Sequence, residues 1–351
     1  MKKIYEKILN QERISSSEAL LLLEKAPLQE LGNIAHMVRL RKNNPKLVTY
    51  IIDRNINYTN FCDAYCKFCA FYVHPKSEKG YIISYEELDK KLEELISLGG
   101  RQILLQGGLH PDLNIDYYEN LLQHIKSHYP IIWIHGFSAP EIIKITEVSG
   151  LSISQVLQKL MSAGLDSLPG GGAEILVDRV RQKLALAKCS RDQWLEVHEI
   201  SHNLGLRTTA TMMFGHIETH EEQIEHLEVL RQLQDRTHGF TAFINWTFQP
   251  DHTALMRIKK ATSYEYLRML ALSRLYLDNI ENFQSSWVTQ GPKIGQLALW
   301  YGANDMGSTM IEENVVSKAG TVYDLDEKEI CRLIHQAGFQ AQQRNMEYQL
   351  L

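Results

Sequence analysis

The stretch VTYIIDRNINYTNFCDAYCKFCAFY, residues 48–72, decides how this chain is read. Its first part, Val48–Tyr58, is rich in β-branched and aromatic residues and reads as a strand. Its second part sets Cys62, Cys66 and Cys69 at C-x3-C-x2-C spacing on the loop that follows. Three thiolates on one short loop suit three corners of a cubane iron–sulfur cluster, which needs four ligands. The other two cysteines, Cys189 and Cys331, are distant and isolated. One iron is then left open, and an open position marks a reactive metal, as it does for zinc. The alternative is a zinc knuckle, which wants a fourth Cys or His at short range. His74 is the one candidate for that place.

Outward from this stretch, β-rich runs alternate with helical patterns. Ser84-x-x-Glu87 is a capping box opening a helix that stops at Gly99-Gly100. Further boxes open at Ser152, Ser190 and Thr219. Strands are expected over 101–106, 131–135, 165–168, 207–214 and 239–248, with weaker ones over 282–288 and 306–311. Repeated β-α units imply a parallel sheet. Eight of them predict an α/β fold, a closed (β/α)8 TIM-type barrel with its chemistry at the C-terminal strand ends. The cysteine loop falls there. An open doubly wound sheet is the alternative. Residues 1–45 read as helices capping a barrel end, 46–320 as the barrel, and 321–351 as a C-terminal helical extension.

Composition narrows the class. The chain has 351 residues, a formal charge of −5 and no long basic block, so no nucleic-acid groove is expected. Five cysteines, three of them clustered, are not a disulfide framework. The start MKKIYEKILNQERIS is polar and lacks the apolar core of a signal peptide. No apolar run approaches a membrane span. A cytoplasmic home is the expectation.

The loops after the strands carry the candidate site. Gln106-Gly-Gly-Leu-His110 lets backbone approach a ligand at Gly107 and Gly108, or is a plain tight turn. Ser138 and Glu141 face the ligand, or Glu141 caps a helix start. Pro169-Gly-Gly-Gly-Ala-Glu174 lacks the Lys-Ser/Thr of a phosphate loop. Thr209, Thr211 and Met213 share one face of their strand, and His216 just beyond is a candidate base or a loop histidine. Asn304, Asp305, Glu312 and Glu313 surround the last strand.

The cysteine spacing, with Phe68 before the last cysteine, resembles the signature of the radical S-adenosylmethionine (SAM) superfamily. There the open iron chelates the amino and carboxylate groups of SAM, and one electron releases a 5′-deoxyadenosyl radical. The resemblance assigns Cys62, Cys66 and Cys69 to a [4Fe-4S] cluster and Gly107 and Gly108 to the methionyl amino group. It gives Glu174 an acidic contact to SAM, and Lys188 or Arg191 the partnership with the SAM carboxylate.

NINYTNFC at 55–62, SLPGGGAEIL at 167–176, TTATMMFGHIET at 208–219 and FTAFINWTFQP at 240–250 are similar to the menaquinone/F420 branch. The run 285–320 most resembles the dehypoxanthine futalosine cyclase family of the futalosine route to menaquinone. That likeness implies cyclisation of dehypoxanthine futalosine. The radical takes the ribose C4′ hydrogen, the carbon radical attacks the benzoate ring, and His216 is the candidate base. An electron donor such as flavodoxin or ferredoxin is implied as partner. The alternatives are an aminofutalosine synthase, another C–C-forming synthase, or a non-catalytic iron–sulfur carrier or sensor, which would bring a fourth cysteine. Two positions depart from the pattern: Asn245 stands where proline is expected, and Leu184–Cys189 is less basic than expected.

Overall fold

The computed structural model describes residues 1–351. Its ten strands are β1 (Leu47–Ile51), β2 (Asp53–Asn57), β3 (Gln102–Gln106), β4 (Trp133–Gly136) and β5 (Ser167–Leu168), followed by β6 (Arg207–Phe214), β7 (Phe240–Thr247), β8 (Asn282–Gln284), β9 (Asp305–Ser308) and β10 (Gln340–Gln343). All pairings are parallel, in the order β10-β1-β9-β8-β7-β6-β5-β4-β3-β2.

The first expected strand is split at Ile52. Its lower half, β1, bonds β9, while its upper half, β2, bonds β3. One continuous stretch thus joins both ends of the ladder, and Thr309 N–H donates to Ile51 O across the seam at 3.0 Å. With β1 and β2 as one stave, the sheet is an eight-stranded parallel barrel. This curls the sheet on itself, unlike an open doubly wound sheet, and leaves β10, paired with β1 alone, as an added edge strand.

The outer helices begin as the sequence signals. Full capping boxes form at Ser152/Gln155, Ser190/Gln193 and Thr219/Glu222. Each such cap stabilises its helix by about 1 kcal/mol. Ser84 accepts the Glu87 amide, the one-way version of the same cap. That helix, Tyr85–Ser97, ends where Gly100 N–H returns to Leu95 O.

Two regions differ from expectation. The N-terminal helices Lys2–Leu9, Ser16–Lys25 and Leu28–Lys42 do not cover a barrel end. The last two lie along the flank, against helices His220–Thr237 and Ser263–Tyr276. Helix Ser263–Tyr276 is buried almost all round. It therefore needs apolar cover on its outer side as well, and Leu22, Leu23, Leu31 and Ala35 are among the buried residues of the covering pair.

The second difference is the C-terminal segment, which is only partly helical. Helix Glu327–Gln336 leads into β10, which pairs with β1 from Leu47↔Gln340 to Tyr50↔Gln343. Gln-Ala-Gln-Gln has no apolar alternation to announce a strand. The main chain of β1 sets this pairing, not the side chains.

β7 carries one anomaly. Ile244 and Trp246 line the barrel interior, so Asn245 points the other way, into the helix layer. It is fully buried, and neither atom of its amide has a partner.

Candidate active site

The barrel interior opens into a cavity of about 290 Å³ reaching from the glycine loops at the top to Arg344 and Tyr348. The cysteine loop lies just beyond its upper end, where Gly108, two residues after the lining residue Gln106, packs against Phe61 and Cys62. Cys62 N–H donates to Val73 O, Asp63 N–H to Leu109 O and Cys69 N–H to Cys66 O. Lys67 is stitched on both sides, its N–H to Leu184 O (2.9 Å) and its carbonyl to Ala254 N–H (3.0 Å). All three thiols are free, with Cys62 and Cys66 buried. Burial pushes the Cys62 thiol up and the Cys66 thiol up to about 12, although Lys188 pulls both down. A cationic metal partner offsets that cost, because a metal binds the thiolate.

His74, the fourth ligand a zinc knuckle would need, is an exposed loop residue stacked on Tyr65 at 5.7 Å. A cubane takes each thiolate at a separate corner, and the three free thiols on one loop fit it.

The glycine turn is held from beneath. Buried Glu141 accepts from Gly107 N–H (2.9 Å) and Tyr58 O–H (2.8 Å) with one oxygen, and from Ser138 N–H (2.7 Å) and Ser138 O–H (2.5 Å) with the other. Ser138 and Glu141 thus form the capping box of helix Ala139–Ser149. Gly108 N–H donates to Thr59 O. A Cβ on Gly108 would lie 2.2 Å from Phe61 O and 3.0 Å from the Cys62 Cβ, so only glycine fits beside the cysteine loop.

The structure brings Glu174 and Lys188 together. Lys188 Nζ lies 2.9 Å from Glu174 Oε1 and 5.2 Å from the centre of the Phe68 ring. Arg181, not anticipated from sequence, sits 3.9 Å from the other Glu174 oxygen and donates to Ala173 O and Cys189 O. Arg191 is elsewhere, paired on the surface with Asp192 and Glu225.

His216 is not brought to the cavity. Its Nε2 lies 3.0 Å from Met213 O, and its Nδ1 lies 2.7 Å from Glu218 Oε2 and 2.8 Å from the Ile217 amide nitrogen. The ring fastens the turn after β6.

Other groups face the interior instead. Thr209 and Thr211 line it and hold Gly170 by its amide and carbonyl. Asp53, His135 and Arg344 line its lower part. Asp305, buried just behind, accepts Arg344 through both carboxylate oxygens. Alternation along Ile51, Asp53 and Asn55 was the signal that could have found Asp53, since all three line the cavity.

A parallel barrel with three loop thiols just beyond the upper end of its cavity defines a class, and the chain belongs to the radical SAM superfamily. Residues 56–230 match the family model "Radical SAM superfamily". Residues 237–351 match "CofH/MqnC C-terminal region". The chain is 48% identical to the cyclic dehypoxanthine futalosine synthase of Halalkalibacterium halodurans, over 99% of this chain and 94% of that protein. It is 46% identical to the enzyme of the same name from Streptomyces coelicolor, over 97% and 86%. The aminodeoxyfutalosine synthase of Thermus thermophilus is 39% identical, over 95% and 91%. Among solved structures, methylornithine synthase (PylB) superposes with a TM-score of 0.73 at 19% identity, covering 96% of each chain. The hydrogenase maturase HydG of Carboxydothermus hydrogenoformans gives 0.76 at 14%, over 99% of this chain and 80% of that one. These two share the fold. No helix of the chain is long and apolar enough to cross a membrane.

Proposed function

We propose that this chain is a radical SAM cyclase that converts dehypoxanthine futalosine into cyclic dehypoxanthine futalosine, a step of menaquinone biosynthesis. One observation carries the reading. The likeness at 48% identity runs through the whole chain, including the C-terminal third that builds β8, β9, β10 and the cavity floor.

Cys62, Cys66 and Cys69 would hold a [4Fe-4S] cluster, and SAM would complete it. When bound, that pair supplies a 5′-deoxyadenosyl radical able to take the ribose C4′ hydrogen. The chain's own residues position the reactants. The amides of Gly107 and Gly108 are already spent within the protein, leaving their carbonyls as acceptors for the methionyl ammonium. Lys188, with Phe68 below it and Glu174 beside it, is the cation suited to meet the SAM carboxylate. Further in, the polar interior holds the substrate ribose within reach of its benzoate ring, and this positioning is most of the catalysis. The enclosed barrel keeps water from the carbon radical.

Electrons must enter by way of the cysteine loop. Lys67, Lys183, Arg257 and Lys259 are exposed and lack any carboxylate partner, although the chain as a whole carries −5. Lys183 and Arg257 flank the two segments bonded to Lys67. This local excess of positive charge suits an acidic donor such as flavodoxin or ferredoxin.

The test is anaerobic: reconstitute and reduce the cluster, add SAM and dehypoxanthine futalosine, and follow both by mass spectrometry. A product lighter by two hydrogens, formed with 5′-deoxyadenosine, is expected. 5′-Deoxyadenosine with the futalosine untouched would move the assignment to a sister substrate, such as that of an aminofutalosine synthase.

A further inference from the structure

The proposed cyclisation leaves one problem that the cysteine loop does not solve. After C4′ attacks the benzoate ring, the attacked ring carbon still carries its hydrogen. Aromaticity returns only when that hydrogen leaves as a proton and the unpaired electron leaves to a one-electron acceptor. The proton needs a base inside the cavity.

Few groups there are free to act. Glu174 is tied to Lys188. Glu313 accepts three amides, from Val315, Val316 and Ser317. Arg344 is forked onto Asp305 and lies 3.9 Å over the Tyr348 ring. His216 is locked in its turn. Two groups remain, Asp53 on β2 and His135 on β4, both lining the cavity.

We propose that Asp53 is the base that accepts the ring proton in the cyclisation, a catalytic residue on the cavity floor that rests on the function proposed above. Asp53 is buried, faces the cavity, and makes no ion pair within salt-bridge distance. Ser308 O–H donates to one of its oxygens and Gln102 Nε2 to the other, at 3.2 Å. The two donors fix the carboxylate on its own stave while lone pairs remain toward the cavity. The charged groups facing it are Arg344 and Asp305 from the opposite side of the seam.

The step balances: the ring C–H bond breaks, its proton joins an Asp53 oxygen, its electron pair restores the ring, and the odd electron passes to a one-electron acceptor such as an oxidised iron–sulfur centre. The electrostatics agree. Burial pushes Asp53 up to about 6, against the pull of Ser308 and Arg344, so it is ionised at neutral pH yet basic enough to take a proton. Burial pushes His135 down to about 3, and its Nδ1 is engaged with Ser167 Oγ at 2.7 Å, so it is a poorer base.

The experiment uses the cluster-loaded enzyme with SAM and dehypoxanthine futalosine, and reads the ratio of cyclised product to 5′-deoxyadenosine. Asp53→Asn is expected to lower that ratio by about 100-fold, the scale of a lost general base, and Asp53→Glu to recover part of it. In the unchanged protein the ratio is expected to fall as pH drops below about 6. An Asp53→Asn protein that keeps the full ratio overturns the assignment, as does a His135→Gln protein that loses it in place of Asp53→Asn. Should Asp53→Asn not fold, a ratio constant from pH 5 to 8 in the unchanged protein overturns it equally. Unchanged protein that leaves futalosine intact overturns the function, and the base with it; cyclisation unaffected by Asp53→Asn overturns the base alone.

Discussion

Arg344 closes on Asp305 with two hydrogen bonds, Nε to Oδ2 at 2.5 Å and Nη2 to Oδ1 at 3.0 Å, and both side chains are at most 3% exposed. Thr49 O–H donates to the same Asp305 oxygen as Nε does. The pair therefore ties the C-terminal tail to β9 and β1 and closes the cavity floor. Removing one partner strands the other charge in the interior, and Arg344→Leu is expected to cost about 3–5 kcal/mol. Urea unfolding checks this. The double variant Arg344→Leu/Asp305→Leu should lose less than the sum of the two single changes, since the stranded charge is then gone.

Glu218 makes stability pH-dependent. Burial pushes its carboxyl up, but hydrogen bonds from the His216 ring, Gly215 N–H and Gln223 outweigh this and bring it down to about 2. A depressed carboxyl contributes stability above its unfolded value, near 4.5, and loses it as pH falls toward 2. The contribution is about 3 kcal/mol at neutral pH. Melting curves of the unchanged protein and Glu218→Gln should differ at pH 6 and converge near pH 2.

Lys188 is the residue on which SAM affinity is expected to depend. Lys188→Met removes a charged hydrogen bond of about 1.5–3 kcal/mol, so SAM should bind roughly 10- to 100-fold more weakly by calorimetry. Iron content should be unchanged. Equal affinity would shift the carboxylate contact to Arg181. Arg191→Met should leave affinity unaltered, because that side chain is held at the surface.

Asn245 is buried with both amide atoms unpartnered. Burying such a group without hydrogen bonds costs about 1–3 kcal/mol. Asn245→Leu, of similar volume and apolar, is expected to raise the urea midpoint. A fall would mean that the amide has a partner in solution.

The cationic face around the cysteine loop can be reversed without touching the cavity. Lys183→Glu/Arg257→Glu is expected to slow association with flavodoxin at least tenfold at low salt and to flatten its salt dependence. Turnover with a small chemical reductant should be retained. Unchanged association would place the donor elsewhere.

The sequence by itself determined what depends on spacing and local backbone. Cys62, Cys66 and Cys69 fall on one loop because they lie within eight residues directly after a strand. The boxes at Ser152, Ser190 and Thr219 form because a hydroxyl and its N3 partner meet within one turn. The β-α alternation gave the barrel for the same reason, each unit being short and periodic. Tertiary structure alone decided the break at Ile52, the flank position of the N-terminal helices, and the floor of the cavity. Asp53, His135 and Arg344 share that floor from far-separated parts of the chain. Which side chains turn inward is set by how the staves close and register, and a partner such as Asp305 for Arg344 is chosen by the barrel's seam. His216 shows the converse: its place just past a strand end marked it for chemistry, and its hydrogen bonds to Met213 and Ile217 give the ring to the turn.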